Sequence, residues 1–183
     1  MTAPHPHAPS TAGPGATPTG TQWLTSEEET AWRGLLRLHA KLSSVLGRDM
    51  AAHGDISLTD YGVLVALTDY PGGRLRAFEL GEQLGWEKSR LSHHVARMAR
   101  RGLVVRERCP TDERGLYVAV TDRGREALAA AAPGHVATVR RAFVDVLTPE
   151  QLAAMTNVAE TVLDAIDRCA PAGGGPSAAR HRG

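Results

Sequence analysis

Cysteine is scarce in this chain, with only Cys109 and Cys169 among 183 residues. Two cysteines far apart make no disulfide framework, and neither has the histidine spacing of a structural zinc site. Both read as free thiols of a reducing cytosol, so a cytoplasmic location is expected. Aromatic residues are equally sparse at 4%, which leaves the core to Leu, Val, Ala and Met. No run approaches the ~20 apolar residues of a membrane helix, so no membrane partner is expected. The opening stretch MTAPHPHAPSTAGPGATPTG lacks the basic and apolar segments of a secretory signal. There is no Gly-rich phosphate loop, metal-ligand cluster or nucleophile elbow, so neither a metal nor a cofactor is expected. Charge of one sign is also lacking. The formal net charge is +1, which on its face argues against a nucleic-acid binder.

Position changes that argument. Residues 74–125 hold 12 Lys and Arg against 7 Asp and Glu, a net +5, and the remainder carries −4. A basic middle between acidic flanks is what a phosphate-binding surface requires. The two ends, 1–22 and 169–183, are rich in Pro, Gly, Ala, Ser and Thr, and cannot bury enough apolar surface to offset ordering entropy. They read as tails around one domain at 23–168.

Within that domain Ser26-Glu27-Glu28-Glu29 fits a capping box, and apolar residues then recur at helical spacing from Trp32 to Met50. This predicts a helix over about 27–52. A second helix follows, with Thr59 as its candidate cap and Tyr61, Leu64, Val65 and Leu67 as its stripe. Two short helical patterns, 77–84 and 88–101, meet at Gly85 and spell helix-turn-helix. Period-two runs at 103–108 and 116–120, joined by the polar link 109–115, form a hairpin. Helix-turn-helix plus hairpin is a winged helix, over about 56–121. Helical patterns then fill 122–168. Pro133 predicts a kink or break at 131–134. Thr148-Pro149-Glu150-Gln151 opens the last helix. The fold class is therefore mainly α with a small β-hairpin wing.

The second helix of the helix-turn-helix carries the chemistry. Leu91, Val95 and Met98 share one arc and must face the core. The opposite arc holds Ser89, His93, Arg97 and Arg100, flanked by Arg90 and His94. Every member is a hydrogen-bond donor. A major groove admits one helix, and arginine can bond a guanine edge through two donors. The N-terminal residues Ser89, Arg90 and His93 reach bases first, while Arg97 and Arg100 hold phosphates. On the hairpin, Arg106 and Arg108 would face phosphates. Arg114 at the tip can enter a narrow minor groove, with Asp112 directing its guanidinium. Ser89, Ser92, His93, His94 and Asp112 include the residue types of a triad, but no carboxylate stands at predictable range, so no catalytic residue is assigned and the protein is not an enzyme.

In these stretches the chain resembles the MarR family of bacterial transcriptional regulators. The residues are LTDYGVLVAL at 58–67, ELGEQLGWEKSRLSHHVARMARRGLVVRE at 79–107, DERG at 112–115 and VTDRG at 120–124. The resemblance covers about 27–168. It implies a homodimer built by intertwined terminal helices, here about 27–52 and 122–168. Two winged helices would bind a palindromic operator in double-stranded DNA. It places Ser89, Arg90, His93 and Arg97 in the recognition helix and Asp112 and Arg114 in the wing. Gly81, where such motifs often carry alanine, and Glu113 depart from the pattern. The residues agree on dimerisation: the terminal helices hold more apolar surface than one small winged helix can cover, and pairing would set the recognition helices roughly 34–36 Å apart.

The resemblance also implies repression relieved by a small aromatic, phenolic or anionic effector. Trp32, His39 and Tyr61 are the candidate ligand residues. Two other readings stand beside this one. Cys109, next to Arg106 and Arg108, could sense oxidants through a lowered thiol pKa. A winged helix can also serve as a protein-interaction module without DNA.

Overall fold

The computed structural model describes residues 22–109 and 112–169, apart from the side chains of His53, Cys109 and 112–115. It divides into two units, one ending at Ala40 and the other starting at Lys41.

The first unit holds the start of α1 (Ser26–His53). Its capping box lies one residue earlier than the sequence pattern suggests. Thr25 N donates to Glu28 Oε2 at 2.7 Å, and Glu28 N donates to Thr25 Oγ1 at 3.3 Å. Both Thr25 and Ser26 have a glutamate three residues on, and using Thr25 frees Glu29 to pair with Arg33 one turn later. Trp23, Leu24, Trp32, Leu35, Leu36 and Leu38 are all exposed.

The second unit contains the rest of α1, then α2 (Leu58–Thr68), a 3₁₀ turn (Pro71–Gly73), β1 (Arg74–Arg76), α3 (Ala77–Leu84) and α4 (Lys88–Arg100). These are followed by β2 (Val104–Cys109), β3 (Asp112–Val120), α5 (Asp122–Ala142), a second 3₁₀ turn and α6 (Pro149–Cys169). The cap of α2 is Ser57 rather than Thr59: Asp60 N donates to Ser57 Oγ, and Ser57 N donates back to Asp60 Oδ2 at 2.9 Å. Ser57-x-x-Asp60 closes a reciprocal box, which Thr59 inside the first turn cannot do.

The sheet is antiparallel with strand order β1–β3–β2. It has one strand more than the predicted hairpin, because three residues are too few to display a period of two. Leu75 pairs with Val118 and Val104 with Val120. All four are buried, and they share one core with Leu64, Leu67, Leu80, Leu91, Val95 and Met98. On the other strand of the wing, β3 begins at Asp112 rather than Leu116, and the register shifts between Arg108 and Cys109.

Two glycines make the joints. Gly85 (φ 62°) ends α3 in the left-handed region, and the next amide, Trp86 N, reaches back to Gly81 O at 2.8 Å. A Cβ on Gly81 would stand 3.2 Å from Trp86 O, so glycine eases this turn where the motif often has alanine. Gly124 lets α5 start against the sheet: a Cβ there would lie 2.2 Å from Leu103 O.

The predicted break at Pro133 is absent. Helix α5 runs through it from Asp122 to Ala142. Proline removes one helical hydrogen bond, but Pro133 is exposed and water can serve the freed carbonyl. Packing holds both sides of it, through Ala127, Leu128 and Ala131 before and Tyr61–His135 after. The Thr148 box forms as expected, with Thr148 N donating to Gln151 Oε1 at 2.9 Å. Helix α6 has no buried residue, and Met155, Val158, Val162, Leu163 and Ile166 are exposed along it.

Candidate nucleic-acid interface

Helix α4 stands on the core through Leu91, Val95 and Met98, as the apolar arc requires. Its outer arc is set by that burial. Ser89, Arg90, His93, Arg97 and Arg100 are all exposed on one short helix, with no acidic residue between Lys88 and Arg101. The Arg90 guanidinium lies 4.6 Å from the Trp86 ring centroid, a cation–π contact that limits its wandering. Arg100 lies in the last turn, next to the C-terminal dipole that favours cations.

His94 is not part of that arc. The helix turns it inward at 6% exposure. Its Nδ1 is hydrogen-bonded to Arg97 Nη2 at 2.7 Å, and its Nε2 lies 2.9 Å from Asp60 Oδ1, an ion-pair distance without an aligned hydrogen bond. Its ring meets Trp86 edge to face at 5.3 Å. The signal was present in the sequence, because 91, 94, 95 and 98 are i, i+3, i+4 and i+7, a buried face. Reading all polar residues as outward concealed it.

Asp60 is the partner that sequence reasoning missed. It is 3% exposed and takes hydrogen bonds from Ser57 N and, at 2.7 Å, from Arg101 Nη1. Arg101 also donates through Nη2 to Asp55 O, so it clamps the end of α4 to the start of α2. Burial pushes the Asp60 carboxyl up, but the Ser57 amide, Arg101 and the Ser57 hydroxyl together outweigh burial and hold it below the ordinary aspartate value. Burial pushes His94 down; Asp60 opposes that, and Arg97 and Arg90 add to it. The imidazole is therefore held below its ordinary value.

The strand arginines differ. Arg106 Nη2 donates to Ser92 O at 2.7 Å, bracing the sheet to α4 rather than standing free for phosphate. Arg108 is exposed. Asp112, Glu113 and Arg114 belong to β3 by backbone, and their side chains, like that of Cys109, lie outside the described residues.

The candidate ligand residues fall in different units. Trp32 and His39 are exposed in the first. Tyr61, in the second, is half-buried on α2 and gains a partner the sequence reading did not name. Its ring centroid is 4.4 Å from that of His135 on α5. Burial, then Asp69, pushes its phenol up. His135 Nδ1 is buried without a hydrogen-bond partner among the described residues. Among the described residues there is also no cluster suited to a metal ion, and no helix is long and apolar enough to cross a membrane.

An exposed basic helix on a winged-helix core can be compared with known proteins. A family model described as MarR family matches residues 54–115. The HTH-type transcriptional regulator YkoM of Bacillus subtilis (strain 168) is 30% identical over 66% of this chain and 76% of its own length. Among solved structures, AbsC of Streptomyces coelicolor, a MarR family transcriptional regulator, is 37% identical with a TM-score of 0.74. That match covers 80% of this chain and 99% of AbsC. The chain belongs to the MarR family.

It is accordingly a transcriptional regulator with the winged helix-turn-helix fold, not an enzyme. Another MarR regulator, Sco3205 of S. coelicolor, was solved in complex with DNA. It is 40% identical with a TM-score of 0.74, over 79% of this chain and 94% of that one.

Proposed function

We propose that this MarR regulator binds a palindromic operator as a homodimer and represses transcription by occupying it. The observation that carries the reading is the acid-free outer arc of α4, with Ser89, Arg90, His93, Arg97 and Arg100 exposed on a helix fixed by its buried face. Ser89, Arg90 and His93 read base edges, and Arg97 and Arg100 hold phosphates. Arg108, Arg114 and Asp112 serve the wing. The Sco3205–DNA complex supports this by similarity. His94 contributes from behind the arc rather than from the groove.

The second copy is assigned to the apolar faces of α1 and α6. The exposed Leu35, Leu36, Val158, Val162, Leu163 and Ile166 would leave a monomer with large apolar patches, which soluble monomers avoid. The regulator occupies 23–168 and works in the cytoplasm.

Release by a small aromatic or phenolic effector has one supporting observation within the second unit. Tyr61 and His135 lie ring to ring, tilted by 32°, and the buried His135 Nδ1 without a partner among the described residues offers a polar handle beside an apolar ring. An effector acts by favouring a dimer whose recognition helices are wrongly spaced.

The test is fluorescence anisotropy with the DNA flanking the protein's own gene and with a palindrome library, at two salt concentrations. Binding that weakens with salt supports the reading. Absence of salt-dependent binding to either refutes it and favours a protein-interaction module. Phenolic acids added to the complex test release, and loss of binding on mild peroxide treatment that Cys109→Ser abolishes would favour the redox alternative.

A further inference from the structure

Arginine carries only donors, so the contact between Arg97 Nη2 and His94 Nδ1 at 2.7 Å requires a bare lone pair on Nδ1. The remaining ring proton must then sit on Nε2. That atom lies 2.9 Å from Asp60 Oδ1, and an ionised carboxylate only accepts. Arg97 therefore donates to His94, whose Nε2 faces the Asp60 carboxylate at ion-pair distance without an aligned hydrogen bond. Asp60 is itself anchored by Ser57 N and Arg101. Two buried groups, Asp60 and His94, thus stand behind one exposed guanidinium on the outer arc of α4.

We infer that His94 is a positioning residue for DNA binding, fixing the Arg97 guanidinium for its phosphate by accepting its hydrogen bond on Nδ1 while the Asp60 carboxylate faces the opposite ring nitrogen. The inference rests on the proposed operator binding. A free arginine must be ordered on docking, which costs up to about tenfold in affinity. Arg97 is ordered beforehand, one turn along the helix from its tether. The geometry also makes the tether sensitive to protons. Protonation of Nδ1 replaces the acceptor with a donor and expels Arg97. The charged groups facing His94 are Asp60 from α2 and Arg97 and Arg90 from α4, with Arg101 on the far side of Asp60; Trp86 closes the remaining side and does not titrate. Burial and the two arginines keep the ring neutral at working pH, so the tether holds there.

The test couples two measurements on the full chain. Nitrogen-15 NMR of the imidazoles in the free protein should give the Nε2–H tautomer for His94, and Arg97→Ala should move its titration up toward an ordinary histidine. An Nδ1–H tautomer, or no movement, overturns the tether. Operator anisotropy then supplies a double-mutant cycle, with circular dichroism confirming the fold of each variant. His94→Leu should weaken binding about tenfold in the native background and less than about twofold in the Arg97→Ala background. His94→Gln, whose amide can accept from Arg97 and donate to Asp60, should keep affinity within about twofold. Equal losses from His94→Leu in both backgrounds, or a His94→Gln loss as large as that of leucine, overturns the positioning role. If the native protein binds no DNA, the operator reading fails and this role fails with it; the NMR result still reports the tether separately.

Discussion

Asp60→Asn is a sharp perturbation because it changes one atom in a site where two donors and a facing imidazole converge. The carboxylate accepts from Ser57 N and Arg101 Nη1 on Oδ2, and its Oδ1 faces His94 Nε2 at 2.9 Å. Asparagine keeps one oxygen and puts an NH₂ where the other was. Turned either way, that NH₂ faces a donor. His94 cannot relieve the conflict by changing tautomer, since Arg97 already occupies Nδ1. With the NH₂ toward His94, the buried imidazole meets an amide donor where the carboxylate charge stood, at a cost of about 1–3 kcal/mol. The Arg101 bond loses its charge assistance. That side chain is 40% exposed, so solvent screening limits this share to under about 1 kcal/mol. The expected total is about 3 kcal/mol, at the lower edge of the ~3–5 kcal/mol for breaking a buried pair. For a protein of this size that is a fall in Tm of roughly 6–12 °C. Urea and thermal unfolding followed by circular dichroism measure it, with protein concentration held fixed because dimerisation would shift Tm. A Tm within about 2 °C of native would refute the claim that Ser57, Arg101 and the facing His94 depend on this carboxylate.

Acid should destabilise the native protein in two stages. His94 is held below its ordinary value, so between that lowered value and about 6.5 the unfolded chain binds more protons and stability falls as pH drops. The contribution of Asp60, present above about 3.9, is lost as pH falls further through its lowered folded value; a flat stability profile from pH 7 to 5 would contradict the His94 part. Gly124→Ala separates propensity from packing: helix propensity alone predicts a gain of about 1 kcal/mol. The approach to Leu103 O predicts instead a loss of about 2 kcal/mol or more, read by denaturant midpoint. Leu163→Asp should shift the protein toward monomer in analytical ultracentrifugation, and an unchanged dimer would place the interface elsewhere. Arg90→Ala should relax base preference on single-base operator variants, whereas Arg97→Ala should weaken all of them alike and lower the salt slope by about 1; identical profiles would make Arg90 a phosphate contact.

Much of this was legible from local pattern. The paired short helices around Gly85, the period-two runs of the wing and the Leu91–Val95–Met98 arc are short-range properties that any fold must respect. The same reasoning misplaced caps at Ser26 and Thr59 because several residues fit each motif, and only the packed helix selects among them. It also expected a kink or break at 131–134; the helix does not break there, because the contacts of α5 before and after the proline outweigh a local cost of about 3 kcal/mol.

By itself the sequence determined the winged-helix order, the basic middle hidden in a net charge of +1, and the face of α4 that must stay exposed. These follow from periodicity and charge position, which are written along the chain. Tertiary structure alone decided what Asp60, His94, Arg97 and Arg101 are to one another. Asp60 and Arg101 stand 41 residues apart, and no local spacing encodes that meeting. It exists because the core brings α2 against α4, and a buried carboxylate there is stabilised by the donors and charges it meets.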